Sequence, residues 1–331
     1  HANVQPYSGS PANMAVCFAL ANPGETVMGM ELRAGGHLTH GAAVNFSGKF
    51  FKVVSYGVAK NGLLDYEEIK SLAKKHHPSL IWCGATAYPR IFDWEKFGKI
   101  AEEVGAWLVA DIAHYAGLVV GGVYPSPAPF ADVITTTTHK TLRGPRGAII
   151  MVTKKGLKKD PKLGEKIDRW VFPGLQGGPH ENNIAAIAVA LGEASRPEFK
   201  KYARQVVKNA KVLGGELKKY GFDLVSGGTD NHLVLVDLRN KKIGGKEAAV
   251  VLEEAGIVVN ANSIPHDPAP PFRPSGIRLG TPAVTTRGTK EKEMKKIAFW
   301  IAQALKNYNQ KKILAKIEGE IRKFLLSFPI R

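Results

Sequence analysis

The chain has 331 residues, 44% of them hydrophobic and 23% charged. These are the proportions of one large globular domain or two ordinary ones, not of a disordered, collagen-like or coiled-coil chain. No run of about 18 apolar residues occurs, which excludes a membrane-spanning helix. The formal charge is +17, of which only +2 falls in residues 1–152 and +15 in the remainder. A basic half raises the question of nucleic acid. Clusters such as Lys154-Lys155, Lys158-Lys159 and Lys311-Lys312 are spaced through amphipathic helices. No nucleic-acid motif accompanies them, so a solvated lysine surface is expected and a nucleic-acid partner is not. Cys17 and Cys83 lie in apolar neighbourhoods far apart. They read as reduced core thiols of a cytoplasmic protein, neither a disulfide framework nor a metal site.

In chain order, the opening HANVQPYSGSPANMAVCFAL has no initiator Met and no leader, and already reads as the interior of a domain. The expectation is a fragment lacking an upstream segment. A helix is predicted to start at Ser10-Pro11, with Ser10 as N-cap and Pro11 in the first helical position. Short apolar runs then alternate with helical patterns. ETVMGM (25–30), FKVVSY (51–56), SLIWCG (79–84), AWLVAD (106–111), DVITTTT (132–138) and GAIIMV (147–152) read as strands, with Tyr66–His77 and Asp93–Val104 as helices between them. That alternation predicts an α/β fold with a mostly parallel central sheet sandwiched by helices. Residues 153–195 read as a basic helical linker, the loop FPGLQGGPHE and an alanine-rich helix. Beyond a long helix at 197–220, the runs FDLVSG (222–227), HLVLVDL (232–238), IVVNAN (257–262) and GIRLG (276–280) read as strands. Helices are expected at 245–255, 288–306 and 310–326. The expected division is a larger domain over 1–195 and a smaller α+β domain over 196–331.

Chemistry is expected beyond the carboxyl ends of the strands, where open α/β sheets collect ligands. Asp111 ends the AWLVAD strand. A carboxylate there needs a cationic partner, and His114 is close enough in sequence to sit beside it; alone, DIAH fits an ordinary loop cap equally well. TTTTHKTLRGPRG (135–147) runs off a strand into His139-Lys140. Most lysines near strand ends are simply solvent-exposed. What singles out Lys140 is the company of Asp111. An Asp for a pyridinium nitrogen and a Lys for an aldehyde carbon are the two protein parts that pyridoxal phosphate asks for. Ser8-Gly9-Ser10 at a helix start supplies a phosphate site, and the Gly177-Gly178-Pro179 turn offers further N–H donors. His37 in GGHLTHG (35–41) can stack on a flat ring. Arg278 is the one basic residue in an apolar strand; it reads as the partner of a substrate carboxylate or of a structural anion.

The strings HANVQPYSGSPAN, GGHLTHG, YPR, DIAH, TTTTHKTLRGPRG, VFPGLQGGP, SGGTDNHLVLVDLR and SGIRLGTPAVTTRG follow one another in this order. Together they strongly resemble the serine hydroxymethyltransferase family, fold-type I enzymes dependent on pyridoxal 5′-phosphate, from residue 1 to about residue 305. The resemblance implies a transferase that interconverts serine plus tetrahydrofolate with glycine plus 5,10-methylenetetrahydrofolate. It implies the cofactor held covalently on Lys140, Asp111 paired with the pyridine nitrogen and His37 stacked on the ring. It places His114 near the phenolic oxygen, Thr86 beside the cofactor, and Gly9 and Ser10 on the phosphate. Gly178 of a neighbouring subunit would reach the same phosphate, so a homodimer with shared active sites is implied. Thr137 and His139 would tune exchange at the lysine, and Arg278 would bind the substrate carboxylate. Leu32, Gly36, His37 and Leu38, with Pro270, Pro271 and Phe272, would line the folate site. The sequence departs from the family pattern at Pro11 (usually Gln), at Thr86 (usually Ser), at Pro270-Pro271-Phe272 (usually Ser-Pro-Phe) and at His266 (often Phe). The family's upstream segment, with catalytic tyrosines and a glutamate, has no counterpart here, which implies poor activity for the chain as given. Two alternatives stay open at this point: a related aldolase or aminotransferase, and a basic non-catalytic binding protein on the same scaffold.

Overall fold

The computed structural model describes residues 1–330. Its strands are β1 (Ala2–Asn3), β2 (Thr26–Met30), β3 (Lys52–Tyr56), β4 (Leu80–Cys83), β5 (Trp107–Asp111), β6 (Val133–Thr137) and β7 (Ala148–Val152) in a first sheet. A second sheet holds β8 (Asp223–Leu224), β9 (Leu233–Asp237), β10 (Asn260–Asn262) and β11 (Gly276–Gly280). By its contacts the chain separates into two compact units. The first comprises residues 1–58, 64–86 and 91–200, and the second comprises 59–63, 87–90 and 201–331.

In the first unit the strand order is β1-β7-β6-β5-β4-β2-β3. The pairs β2–β3, β2–β4, β4–β5 and β5–β6 are parallel, and β7 and β1 are added antiparallel at one edge. β4 and β6 are buried along their whole length. They read as continuous apolar or threonine runs because helices cover both faces. Helix α1 (Gly9–Leu20) lays Ala12, Ala15, Val16, Cys17 and Leu20 on the sheet, in a cluster with Val27, Leu80, Trp82, Val109, Val133 and Ile150. Burial pushes the Cys17 thiol up to about 12 and Cys83 well above its usual value, so both stay protonated and inert. A short α2 (Phe46–Phe50) precedes β3. α3 (Tyr66–His76) and α4 (Trp94–Glu103) are capped by Asp65 and Asp93, whose carboxylates accept from backbone N–H groups of the first turn. α5 (Ala116–Val120), α6 (Lys154–Lys159), α7 (Leu163–Arg169) and α8 (Glu181–Ala194) complete the unit. α7 is no loose linker: Leu163 and Ile167 are fully buried in the same cluster as α1.

The second unit takes in most of α9 (Pro197–Lys219). Its strand order is β10-β11-β9-β8, with every pair antiparallel. α10 (Gly245–Glu254), α11 (Pro282–Thr286), α12 (Glu291–Lys306) and α13 (Lys311–Leu325) enclose a core of Leu213, Leu217, Val234, Val236, Leu252, Ile277, Met294, Trp300 and Ile301.

Three local expectations are corrected. α1 starts at Gly9 with Ser8 as N-cap, so Ser10 and Pro11 already lie inside the first turn. Proline is tolerated there because no intrahelical donor is needed. IVVNAN is a strand only over Asn260–Asn262; Val258 before it is 84% exposed. FDLVSG is a strand only at Asp223–Leu224, because Ser226 turns to a φ of 56°.

Candidate active site

The carboxyl ends of β2, β4, β5 and β6 converge with the first turns of α1. Gly9, Asn13, His37, Ala85, Thr86, Asp111, Ala113, His114, Thr137 and Lys140 line one cavity there. The cavity is narrow and mostly enclosed by these side chains.

Asp111 is the last residue of β5 and is 8% exposed. Its Oδ2 accepts from Asn13 Nδ2 at 2.8 Å and lies 3.1 Å from His40 Nε2, while Oδ1 accepts from the Ala113 N–H at 2.9 Å. Burial alone would push this carboxyl up. The His40 hydrogen bond, the charges of His40 and His37 and the Asn13 bond outweigh burial and hold it well below the usual carboxylate range. Asp111 is therefore a fixed buried anion. Its side-chain partners His40 and Asn13 stand 71 and 98 positions upstream. His114 is in the cavity wall.

Asn13 and His40 are the residues that reading the sequence missed. Asn13 is 1% exposed and His40 2% exposed. A signal existed: Asn13 is the only strongly polar side chain on the buried face of α1, one turn beyond Gly9. His40 stacks on Trp82 with ring centroids 5.0 Å apart and an 11° interplanar angle, which fixes its ring beneath Asp111. The network continues outward. Asn13 Nδ2 also donates to Thr39 Oγ1 at 2.9 Å, and Thr39 Oγ1 lies 2.7 Å from His37 Nδ1. Burial first, then the positive charges of His40 and Lys140, lower His37 to about 4, so its imidazole is neutral at pH 7. The ligand atoms of His37, His40 and Asp111 lie within 4.8 Å of one another. Both Asp111 oxygens are engaged by donors, so the cluster clamps the carboxylate in place.

Lys140 follows β6 on a loop tied shut by its own backbone. Thr138 N donates to Gly147 O at 3.1 Å, Gly144 N to Thr138 O at 2.8 Å, and Thr138 Oγ1 to Pro145 O at 2.7 Å. Lys140 Nζ donates to Thr137 Oγ1 at 3.1 Å. Burial and the charges of Lys140 and Arg146 lower the neighbouring His139 to about 4.

The start of α1 completes the wall. The first backbone bond of the helix is Ala12 N–H to Ser8 O, which leaves the Gly9 and Ser10 N–H groups without helical partners. Ser8 makes no side-chain capping bond, and no acidic residue occupies the first turn. Gly9 is required by crowding, since a Cβ there would stand 2.7 Å from Thr137 Cγ2.

Other expected residues are not among those lining this cavity. Gly178 is exposed on the loop after α7; its carbonyl accepts from Tyr7 OH at 2.8 Å. Leu32 and Leu38 are each 43% exposed and Gly36 is buried, all in the loop after β2. Pro270, Pro271 and Phe272 form an exposed stretch of the second unit. Arg278, in β11, is half-buried rather than buried, and its Nη2 donates to Asn260 Oδ1 at 2.9 Å.

The donor set fits pyridoxal phosphate on observations of this chain alone. There is a buried anion for a pyridinium, a lysine amine one strand away, and unpartnered N–H groups at a helix N-terminus for a phosphate. Comparison with known proteins agrees. The family model described as serine hydroxymethyltransferase matches residues 1–301. Serine hydroxymethyltransferases of Desulfotalea psychrophila and Acidothermus cellulolyticus are each 55% identical to this chain. That of Sorangium cellulosum is 54% identical. Each match covers 99% of this chain and 76–77% of the relative. A match of that extent decides the family among the readings left open by the sequence: the chain belongs to the serine hydroxymethyltransferase family.

Proposed function

We propose that Lys140 carries the cofactor and that Asp111, His37, Thr86, His114, Thr137, His139, Gly9 and Ser10 form its site. The family's enzymes are glycine hydroxymethyltransferases with pyridoxal phosphate bound covalently to a lysine and tetrahydrofolate as co-substrate. When bound, pyridoxal phosphate supplies the electron sink for the bond broken at the substrate α-carbon. The observation that carries the residue assignment is the convergence of Lys140 and the ionised Asp111 in one cavity with the start of α1.

The protein's own contributions follow from its geometry. Asp111, held ionised by His40 and Asn13, keeps a proton on a ring nitrogen facing it. His37, neutral at pH 7, offers a flat uncharged face for stacking. Thr137 steers the Lys140 amine through its hydroxyl. His139 is neutral at pH 7, so it stands beside the lysine without adding a second positive charge there. Gly9 and Ser10 donate backbone N–H groups to a phosphate. Arg278 binds the carboxylate of serine or glycine as a bidentate fork. Leu32, Gly36 and Leu38 in the first unit, and Pro270, Pro271 and Phe272 in the second, are assigned to folate. The exposed apolar side chains Val44, Phe50, Phe172 and Val189 support a homodimer in which Gly178 reaches the partner's phosphate. A cytoplasmic location fits the two buried free thiols. The division of labour falls between residues 1–195, which hold the cofactor, and 196–331, which hold Arg278. Among the described residues, no helix is long and apolar enough to cross a membrane.

Borohydride reduction of the cofactor-loaded protein followed by peptide mapping tests the central assignment. The cofactor is expected on Lys140, and Lys140→Ala is expected to lose the visible absorbance of covalently held cofactor. A label on another lysine overturns the assignment.

A further inference from the structure

Arg278 sits on β11 with a neighbour whose placement is dictated by strand register. β10 is the edge strand of the second sheet and pairs antiparallel with β11, setting Asn260 directly opposite Arg278. Residues directly opposite in an antiparallel pair point to the same face with their Cβ atoms about 5 Å apart. The Asn260 side chain uses that proximity: its Oδ1 accepts from Arg278 Nη2 at 2.9 Å. β9 flanks β11 on the other side, with Leu235 opposite Arg278. His232, just before β9, is 6% exposed, and its imidazole is kept neutral by burial and then by the charge of Arg278.

We propose that Asn260 is a positioning residue for the reaction: it holds the Arg278 guanidinium in the orientation that receives the substrate carboxylate. The inference rests on the reading of Arg278 as the carboxylate-binding residue. A guanidinium on a long flexible stem must be fixed before two parallel bonds can form, and fixing it in advance lowers the cost of binding. The chemistry of the holder matters as much as its position. An amide oxygen accepts one N–H bond and leaves the positive charge whole. A carboxylate in the same place would hold the fork more tightly but neutralise it, and so compete with the substrate. The register therefore supplies a neutral acceptor where a structural ion pair would use an acidic one.

The test compares Asn260→Ala, Asn260→Asp and Arg278→Lys in cofactor-loaded enzyme. Serine and glycine affinities are read from the change in cofactor absorbance, kcat and KM from turnover, and folding from the thermal midpoint. Asn260→Ala is expected to weaken both amino acids about 3- to 10-fold, the scale of one lost bond to a charged group, with kcat within about 2-fold of the parent. Asn260→Asp, nearly isosteric, is expected to weaken them at least as much while leaving the thermal midpoint unchanged or raised. A purely structural Asn260 predicts the reverse: the Asp variant keeps full affinity. Parental affinity in both Asn260 variants, with affinity lost in Arg278→Lys, overturns the proposal alone. Parental affinity in Arg278→Lys overturns the reading beneath it.

Discussion

At the scale of single residues, the site turns on how a carboxylate stays charged out of water. Desolvation works against the Asp111 anion, and the imidazole and amide bonds from His40 and Asn13, together with the charges of His40 and His37, reverse that. Asp111→Asn keeps the shape but removes the charge that stabilises a protonated ring nitrogen. Turnover is expected to fall on the order of 10²-fold or more, while cofactor retention, measured by dialysis and absorbance, falls far less; near-parental turnover would reject the role. His40→Ala should act through the same atom. With the largest favourable contribution gone, burial dominates and the Asp111 pKa rises, so the acid limb of the pH–rate profile should move to higher pH. A profile that scales down without shifting would place the role of His40 in folding alone. Sequence made Asp111, Lys140 and His37 legible because each type is chemically expensive at a strand end. Asn13 and His40 were not legible as partners, because the contact that gives them meaning spans 98 and 71 positions and depends on how α1 lies across the sheet.

At the scale of elements, β2 to β7 of the first sheet were readable to within about a residue, because burial on both faces writes the central ones as uninterrupted apolar runs, while the two-residue edge strand β1 was not read. The second sheet was read less well. Val258 belongs to an apolar run yet is 84% exposed, since β10 exists only where three residues find partners on β11. An edge strand's length is set by its neighbour, which periodicity cannot see. The turn after β4 illustrates the opposite case, a local rule with a distant reason. Gly84 has a φ of +153°, and a Cβ on it would overlap the backbone carbonyl oxygen of Asp111. Gly84→Ala is expected to strain the backbone by about 1–3 kcal/mol and to shift the end of β5, so both the thermal midpoint and cofactor affinity should drop. Loss of stability with parental cofactor affinity would show that the turn supports the sheet without setting the Asp111 carboxylate.

At the scale of the whole molecule, acid is the condition to which both units are most exposed, and histidines rather than carboxylates set where it begins. His37 and His139 in the first unit are lowered to about 4, and His232 in the second to about 3, in each case by burial first. In the unfolded chain a histidine titrates near 6.5. Between that value and the folded value, the unfolded state binds a proton that the folded state refuses, so stability is fully present above about pH 6.5 and is lost as pH falls toward 4. Asp111 has the opposite chemistry but the same direction. Its contribution is present above the unfolded carboxylate value of about 3.9 and is lost only below it. Destabilisation should therefore set in near pH 6.5, well before carboxylates protonate. Each fully buried histidine contributes at most about 1.4 kcal/mol per pH unit. His232, at 6% exposed, is the one closest to that limit. The measurement is denaturant unfolding of the second unit's signal between pH 7.5 and 5, in the parent and in His232→Gln. The variant starts less stable if its packing suffers, but its stability should vary less with pH by up to that amount per unit. Equal slopes in the two proteins would mean that His232 already carries its proton in the fold, and that the acid sensitivity of this unit lies elsewhere.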